Sequence, residues 1–242
     1  MSRNTRRVDF TPGYLLHHHP WRDTSRILEV LTREHGRLTL FARGVRGATA
    51  RLAPVLQPFQ PLLLSWRGRG EAPQLTAAER AQHCVPLPPQ CLLAAFYLNE
   101  LLLRLTTRHD PLPELFDHYH DTLTQLRAQA PLEPALRRFE KRLLEALGYG
   151  VDLLAEARTG KRIEAQRYYH FRAGQGLVPV AAGSAGALAG SSLLELARDN
   201  FGAAQVREDA RRLLRAALSA CLEGRPLATR AVAKSIMRKV AR

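Results

Sequence analysis

SRILEVLTREHGRLTLFAR, residues 25–43, is two runs of strand-forming residues around a polar turn. Ile27, Val30, Leu38 and Leu40 give partial two-residue alternation, and EHGR at 34–37 has the composition of a hairpin turn. Similar runs lie on either side: GYLLHH at 13–18, PLLLSWR at 61–67 with Leu62 and Leu64 alternating, and EAPQLT at 71–76. Five short strands within residues 1–80 predict a small closed barrel, and an OB-type barrel fits best. Such barrels bind single nucleic-acid strands on one face and its loops.

Arg3, Arg6 and Arg7 precede the strands in what reads as a basic N-terminal arm. Two basic turns accompany the strands themselves. GVRGATAR at 44–51, framed by Arg43, brings Arg46 and Arg51 into an exposed loop with two glycines, suited to a phosphate backbone. WRGRG at 66–70 places Arg67 and Arg69 beside an aromatic ring, although Trp66 is expected in the core rather than as a stacking platform. Any one of these arginines reads equally well as solvated surface. The cluster carries the argument.

Pro86, Pro88 and Pro89 then mark a boundary, so an OB domain is expected over residues 1–80 and a helical domain over 81–242. Residues 92–105 are apolar nearly all round and read as a buried helix, with Glu100 and Arg104 at i, i+4 as an ion pair or a capping acceptor. Residues 112–126 form a second helix. LEPALRRFEKRLLEALGYG at 132–150 is a third: Pro134 suits a first turn, Gly148 and Gly150 suit a stop, and Leu136, Phe139, Leu143, Leu144 and Leu147 make an apolar stripe. Arg137 and Arg142 fall at the borders of that stripe, while Arg138 and Lys141 are expected to point away. Residues 156–190 read as a small extended insert, with a strand at Tyr168–Phe171 followed by a flexible glycine- and alanine-rich connector. Residues 193–222 are helical. The segment from 229 onward is a basic amphipathic helix carrying Arg230, Lys234 and Arg238 beside Val232, Ile236 and Val240.

The formal net charge is +14, from 36 Lys and Arg against 22 Asp and Glu, which favours a polyanionic partner. It is uneven: +7 over residues 1–80, −2 over 81–155, +3 over 156–190 and +6 over 191–242. The arginines of 132–150 therefore lie in the one acidic region, which makes them candidates for a specific acidic partner. Cys84, Cys91 and Cys221 form no CxxC pair, so no disulfide framework is expected and a reducing cytoplasm fits. MSRNTRRVDF lacks an apolar targeting core and no run has the length of a membrane span, so a soluble, cytoplasmic protein is expected. Nucleotide-binding, zinc-protease and GxSxG signatures are missing. His17, His18 and His19 alternate faces in a strand, and Asp117, His118, His120 and Asp121 do not share one helix face. No catalytic residue, metal or cofactor is expected.

HPWRDTSRILEVLTREHGRL, ARGVRG, LQPFQPLLLSWRGRGE, YLNELLLRL and EPALRRFEKRLLEALGYG, in this order and spacing, resemble the bacterial DNA repair protein family RecO across residues 8–240. The resemblance implies an α+β, multidomain chain: an N-terminal OB barrel, then a helical domain with a zinc-ribbon-like insert. It implies a non-enzymatic, nucleoid-associated recombination mediator that binds single- and double-stranded DNA and anneals complementary strands. Such a mediator engages the acidic tail of single-stranded DNA-binding protein and, with RecR, promotes RecA loading. A general RNA- or single-strand-binding OB module, or a metal-dependent nuclease, is the alternative. This sequence departs from zinc-bearing members, since Glu156 and Thr159 stand where they carry cysteines. The insert is then expected to be held by its aromatics alone. The tail's acidic and apolar residues call for an apolar slot bordered by guanidinium groups, and Arg137, with Leu136, Leu144 and Arg142, is the expected contact.

Overall fold

The structure is a computed structural model; described are residues 7–45 and 52–240, without the side chains of 237–240. Strands β1 (Arg7–Trp21), β2 (Ser25–Thr32), β3 (Gly36–Ala42), β4 (Leu62–Arg67) and β5 (Gln74–Arg80) are followed by helices α1 (Pro89–Leu105), α2 (Pro113–Arg127) and α3 (Leu132–Ala146). Three short strands come next, β6 (Tyr168–Arg172), β7 (Gly176–Val180) and β8 (Leu188–Ala189), then helices α4 (Gly190–Ala197), α5 (Ala204–Cys221) and α6 (Ala228–Val240). Among the described residues no helix is long and apolar enough to cross a membrane.

The five N-terminal strands close into a barrel in the order β1-β2-β3-β5-β4, the strand order of an OB fold. The β2–β3 hairpin pairs Thr32 with Gly36, and the Thr32 hydroxyl bridges the turn by donating to Gly36 O at 2.9 Å. Leu28, Val30, Leu38, Leu40, Leu62, Leu64 and Trp66 fill the barrel, so Trp66 is core as expected. Two strands differ from the sequence reading. β1 runs over 15 residues and pairs with both β2 and β4, with register breaks between Leu15 and His17 and between Val8 and Thr11. Each break shifts the side-chain alternation by one, which hides a long strand from a two-residue periodicity test. β5 begins at Gln74, later than expected, because Pro73 has no N–H to give to a ladder.

The chain forms two compact units, residues 1–128 with 228–242 and residues 129–227. The first unit runs past the boundary expected at residue 80 because α1 and α2 are tied to β1 by buried polar groups. Asn99 donates to Leu16 O at 2.8 Å and accepts from Tyr119 OH at 2.6 Å, while Tyr14 OH meets His120 Nδ1 at 2.6 Å. Tyr14 and Tyr119 are fully buried and pack edge to face, and burial pushes both phenols up from their ordinary value. Buried Glu29 on β2 accepts from Arg37 at 2.9 Å, Arg108 at 2.5 Å and Thr39 at 2.8 Å. Burial alone would raise that carboxyl, but the bonds from Thr39, Arg108 and Arg37 outweigh it and hold it low.

Glu100 resolves both sequence readings at once: it pairs with Arg104 at 3.2 Å and caps α6. Its carboxylate accepts from Ala228 N at 2.8 Å, Thr229 N at 2.9 Å and Thr229 Oγ1 at 2.7 Å, satisfying helix-terminal donors that α6 leaves open.

The second unit packs α3 on α5 around a core of its own. α3 ends as the glycines predict: Gly148 has φ +77°, Gly148 N bonds Glu145 O and Tyr149 N reaches back to Leu144 O at 2.8 Å, a Schellman closure. The glycine- and alanine-rich stretch is a sheet of order β7-β6-β8 and not a flexible connector. Leu177, Val178 and Leu188 are buried there, and Leu177 and Leu188 share a cluster with Tyr169 and with residues of α4 and α5, so three large side chains order a run whose composition reads as linker. The insert is not held by aromatics alone. Glu156 is buried, accepts from Thr159 Oγ1 at 2.6 Å and pairs with Arg167 at 3.3 Å, while Glu164 N bonds Tyr169 OH. With Glu156 committed to these donors and no cysteine beside it, the residues here do not fit a zinc site.

Asn99→Ala takes one hydrogen-bond partner from Tyr119 OH and one from Leu16 O and is expected to destabilise the chain by about 2–4 kcal/mol in urea unfolding. Glu100 is held below its usual carboxylate value of 4.5: burial raises it, but the Thr229 and Ala228 donors and Arg104 outweigh that. A depressed carboxyl stabilises above its unfolded value and loses that contribution as pH falls through the folded one. The stability gap between wild type and Glu100→Gln is therefore present at neutral pH and should shrink below pH 4.5; a gap constant with pH would refute the cap.

Candidate nucleic-acid interface

The start of β1, the end of β4 and the turn into β5 form a continuous groove on the barrel. Its two lobes have volumes of about 630 and 750 Å³ and share Arg7, Gly68, Arg69 and Pro73. Arg67 lines one lobe and His35, Trp66 and His109 the other. Arg7 and Arg67 are directly opposite each other in the β1–β4 register. Like charges in cross-strand register repel, so this pairing concentrates positive potential on the groove. Among the described residues Arg7 pairs with Asp9, at 2.9 Å. Gly68 has φ +118°, a conformation that L side chains rarely adopt, and lets the chain turn so that Arg67 and Arg69 both stay exposed.

Of the arginines expected to bind DNA, Arg67 and Arg69 are therefore brought together in one groove. Arg43 is exposed at the end of β3, stacked 5.6 Å from the Phe41 ring centroid. Phe41 N bonds Pro73 O at 2.9 Å, which sets the β3 end at the same rim. Arg46 and Arg51 lie outside the described residues. Sequence reasoning misses three groove residues. Arg7 opens β1 instead of closing an N-terminal arm. His35 comes from the hairpin turn, with its ring 5.2 Å from that of Trp66, and His109 arrives from the segment after α1 with His109 N bonded to Arg37 O. No local pattern in the sequence marks either histidine, since a long-range approach places each.

The α3 residues expected to meet an acidic tail are distributed differently. Arg137 is nine-tenths buried and its guanidinium pairs with fully buried Glu140 at 2.6 Å. Leu144 is core and Leu136 half-buried, while Arg142 is half-buried and bridges Glu145 at 2.9 Å and Asp199 at 2.6 Å. Lys141 does not point away to solvent. It is buried and donates to Leu196 O and Ala197 O, the last carbonyls of α4, and to Asp199 at 2.8 Å. A second face of α3 is thus covered by the α4–α5 connection, which a single amphipathic stripe does not reveal. Beside it lies a slot of about 560 Å³ with apolar walls from Leu132, Pro134 and Phe201 and with Arg138 and Arg207 on its lining. Arg138 stacks on the Phe201 ring at 5.6 Å, and Arg207 donates to Phe201 O at 2.9 Å.

One histidine and one aspartate of α2 are committed to structure: Asp117 binds Arg33 through two hydrogen bonds and His120 meets Tyr14.

Comparison with known proteins gives two family matches, to "Recombination protein O N terminal" over residues 9–83 and "Recombination protein O C terminal" over residues 89–231. Among similar curated proteins is a DNA repair protein RecO from Methylococcus capsulatus, 46% identical and covering 95% of this chain and 94% of its own length. One from Chromobacterium violaceum is 43% identical, covering 95% and 96%, and one from Cupriavidus pinatubonensis is 41% identical, covering 96% and 80%.

Arg137→Ala strands Glu140 in the interior without that donor and should cost roughly 3–5 kcal/mol in chemical unfolding. Arg215→Ala on the exposed face of α5 should change it by no more than ~0.5 kcal/mol. Equal losses for the two variants would show that the Arg137–Glu140 pair is not structural.

Proposed function

The chain belongs to the RecO family of DNA repair proteins, and from that premise we propose that it is a non-enzymatic recombination mediator. It binds single- and double-stranded DNA through the barrel groove and anneals complementary strands. It recruits single-stranded DNA-binding protein through that protein's acidic tail and acts with RecR to promote RecA loading. The observation that carries the DNA-binding part is the cross-strand Arg7–Arg67 pairing beside Arg69, a cationic rim along a groove. Arg43, Arg46 and Arg51 extend the same reading to the β3 end. Backbone charge neutralisation by arginine is indifferent to base sequence, as annealing requires. α6 adds exposed Lys234, and beyond Glu223 the sequence carries six cations and no carboxylate side chain, a composition that supports contact with a second strand.

For the acidic tail, the chemistry asks for apolar walls and guanidinium groups within reach. The slot beside α3 supplies walls in Leu132, Pro134 and Phe201 and cations in Arg138 and Arg207, with Arg142 and Leu136 on the same helix. Glu133 and Asp199 also line it, but each already faces an arginine. Arg137 is the least supported of the expected partners, because a peptide carboxylate would have to compete with Glu140 for it.

Removing Arg7, Arg67 and Arg69 together should weaken single-stranded DNA binding and reduce the log–log salt slope by about 0.7 for each phosphate that is no longer neutralised; an unchanged slope would sink the groove. Against a tail peptide, measured by fluorescence anisotropy, Arg138→Ala and Arg207→Ala should each weaken binding about tenfold while naked-DNA affinity holds. A loss confined to Arg137→Ala and Arg142→Ala would return the tail site to the border of the α3 stripe.

A further inference from the structure

We propose that Phe10, on a bulge of β1, is a stacking platform for one unpaired base of a strand whose phosphates lie along Arg7, Arg67 and Arg69; the inference rests on the barrel groove being the nucleic-acid site. Its backbone gives the first reason. Phe10 has φ +50°, and among the described residues it is the one non-glycine residue inside a strand in the left-handed region. Gln129, Asp199 and Glu223, which share that conformation, each stand just past a helix end, where it closes the helix. Phe10 closes no helix. It sits at the register break between Val8 and Thr11, and a left-handed bulge position usually falls to glycine. A bulky residue there costs folding energy, and strain of this kind gathers at ligand sites.

The bulge does not need the ring. Phe10 N donates to Ser65 Oγ at 2.9 Å, a backbone bond that any residue but proline could make. Phe10 is 54% exposed and stands outside the barrel core, against which its neighbour Val8 packs. Placement gives the second reason. Leu62, Leu64 and Trp66 of β4 belong to the core, so Ser65 and Arg67 alternate to the outer face. Those two are about 7 Å apart along the strand, so the bond to Ser65 sets Phe10 within a nucleotide's reach of the Arg7–Arg67 pair. Asp9, the acid of the bulge, is neutralised by Arg7 at 2.9 Å. An exposed ring beside paired cations suits an unpaired strand, since a phosphate meets the guanidinium groups while a base meets the ring. A base inside a duplex is already stacked on both faces and gains nothing from it. One anchored base leaves its neighbours, held by their phosphates alone, open to pairing.

The test measures, on the full chain by fluorescence anisotropy at fixed salt, the affinity for an oligothymidylate, an abasic deoxyribose-phosphate chain of equal length and a duplex. Phe10→Gly removes the ring and suits the left-handed backbone, so the bulge persists, and Phe10→Tyr keeps the ring. Wild type and Phe10→Tyr should prefer the oligothymidylate to the abasic chain. Phe10→Gly should cut that preference about tenfold, the effect of unstacking one base, with its affinities for the abasic chain and the duplex unchanged. An equal preference in wild type and Phe10→Gly overturns the proposal. So does an equal loss by Phe10→Gly on all three probes, which would make the ring structural. The groove is read separately: abasic-chain affinity unchanged by removing Arg7, Arg67 and Arg69 sinks the groove, whatever the Phe10 variants show.

Discussion

A carboxylate shared among several donors is the interaction on which this structure depends. Of the 22 acidic side chains set against 36 lysines and arginines, four buried or half-buried ones gather donors from separate segments. Glu29 joins two strands to the end of α1, Glu100 joins α1 to α6, Asp199 collects Lys141 and Arg142 from α3, and Glu156 fixes the knuckle of the insert. A buried acid with several donors is stabilised far more than one held by a single exposed partner. The acids are thus concentrated where elements must be joined. Much of the cationic surplus is left on the surface, facing outward at Arg43, Arg67 and Arg69.

That division explains why the fold is more legible in the sequence than the sites are. Barrel strands β2, β3 and β4 are readable because a half-buried strand must alternate, and α3 because its glycines and prolines sit where helix ends require them. β1 is readable only in part, since its two register breaks each reverse the alternation. β7 and β8 are lost in a glycine- and alanine-rich run because Leu177, Val178 and Leu188 alone carry the burial. Composition describes a segment's average, while packing depends on where its few large side chains fall.

Charged residues on α3 show the same limit from the other side. A helical projection separates one apolar face from one polar face and assigns Lys141 to solvent. In the fold, the polar face meets the carbonyl end of α4, where an ammonium is the right group to bury. Arg67 and Arg69 are legible as exposed neighbours because a glycine-rich turn keeps them at the surface. Arg7, His35 and His109 are not, because three separate segments deliver them and no spacing within any one of them encodes the meeting.

The cap that Glu100 places on α6 has a consequence for how the chain is assembled. Residues 228–240 follow the whole second unit in sequence yet complete the first one. The first unit is therefore interrupted, with 99 residues of the second unit inserted between α2 and its closing helix. During synthesis the barrel, α1 and α2 leave the ribosome well before α6 is made, and the Glu100 carboxylate and the Tyr97 face of α1 stay open meanwhile. The inserted unit, contiguous in the chain, can collapse on local contacts, and its doing so shortens the loop that α6 must close. α6, made after the whole second unit, thus acts as a latch on the first.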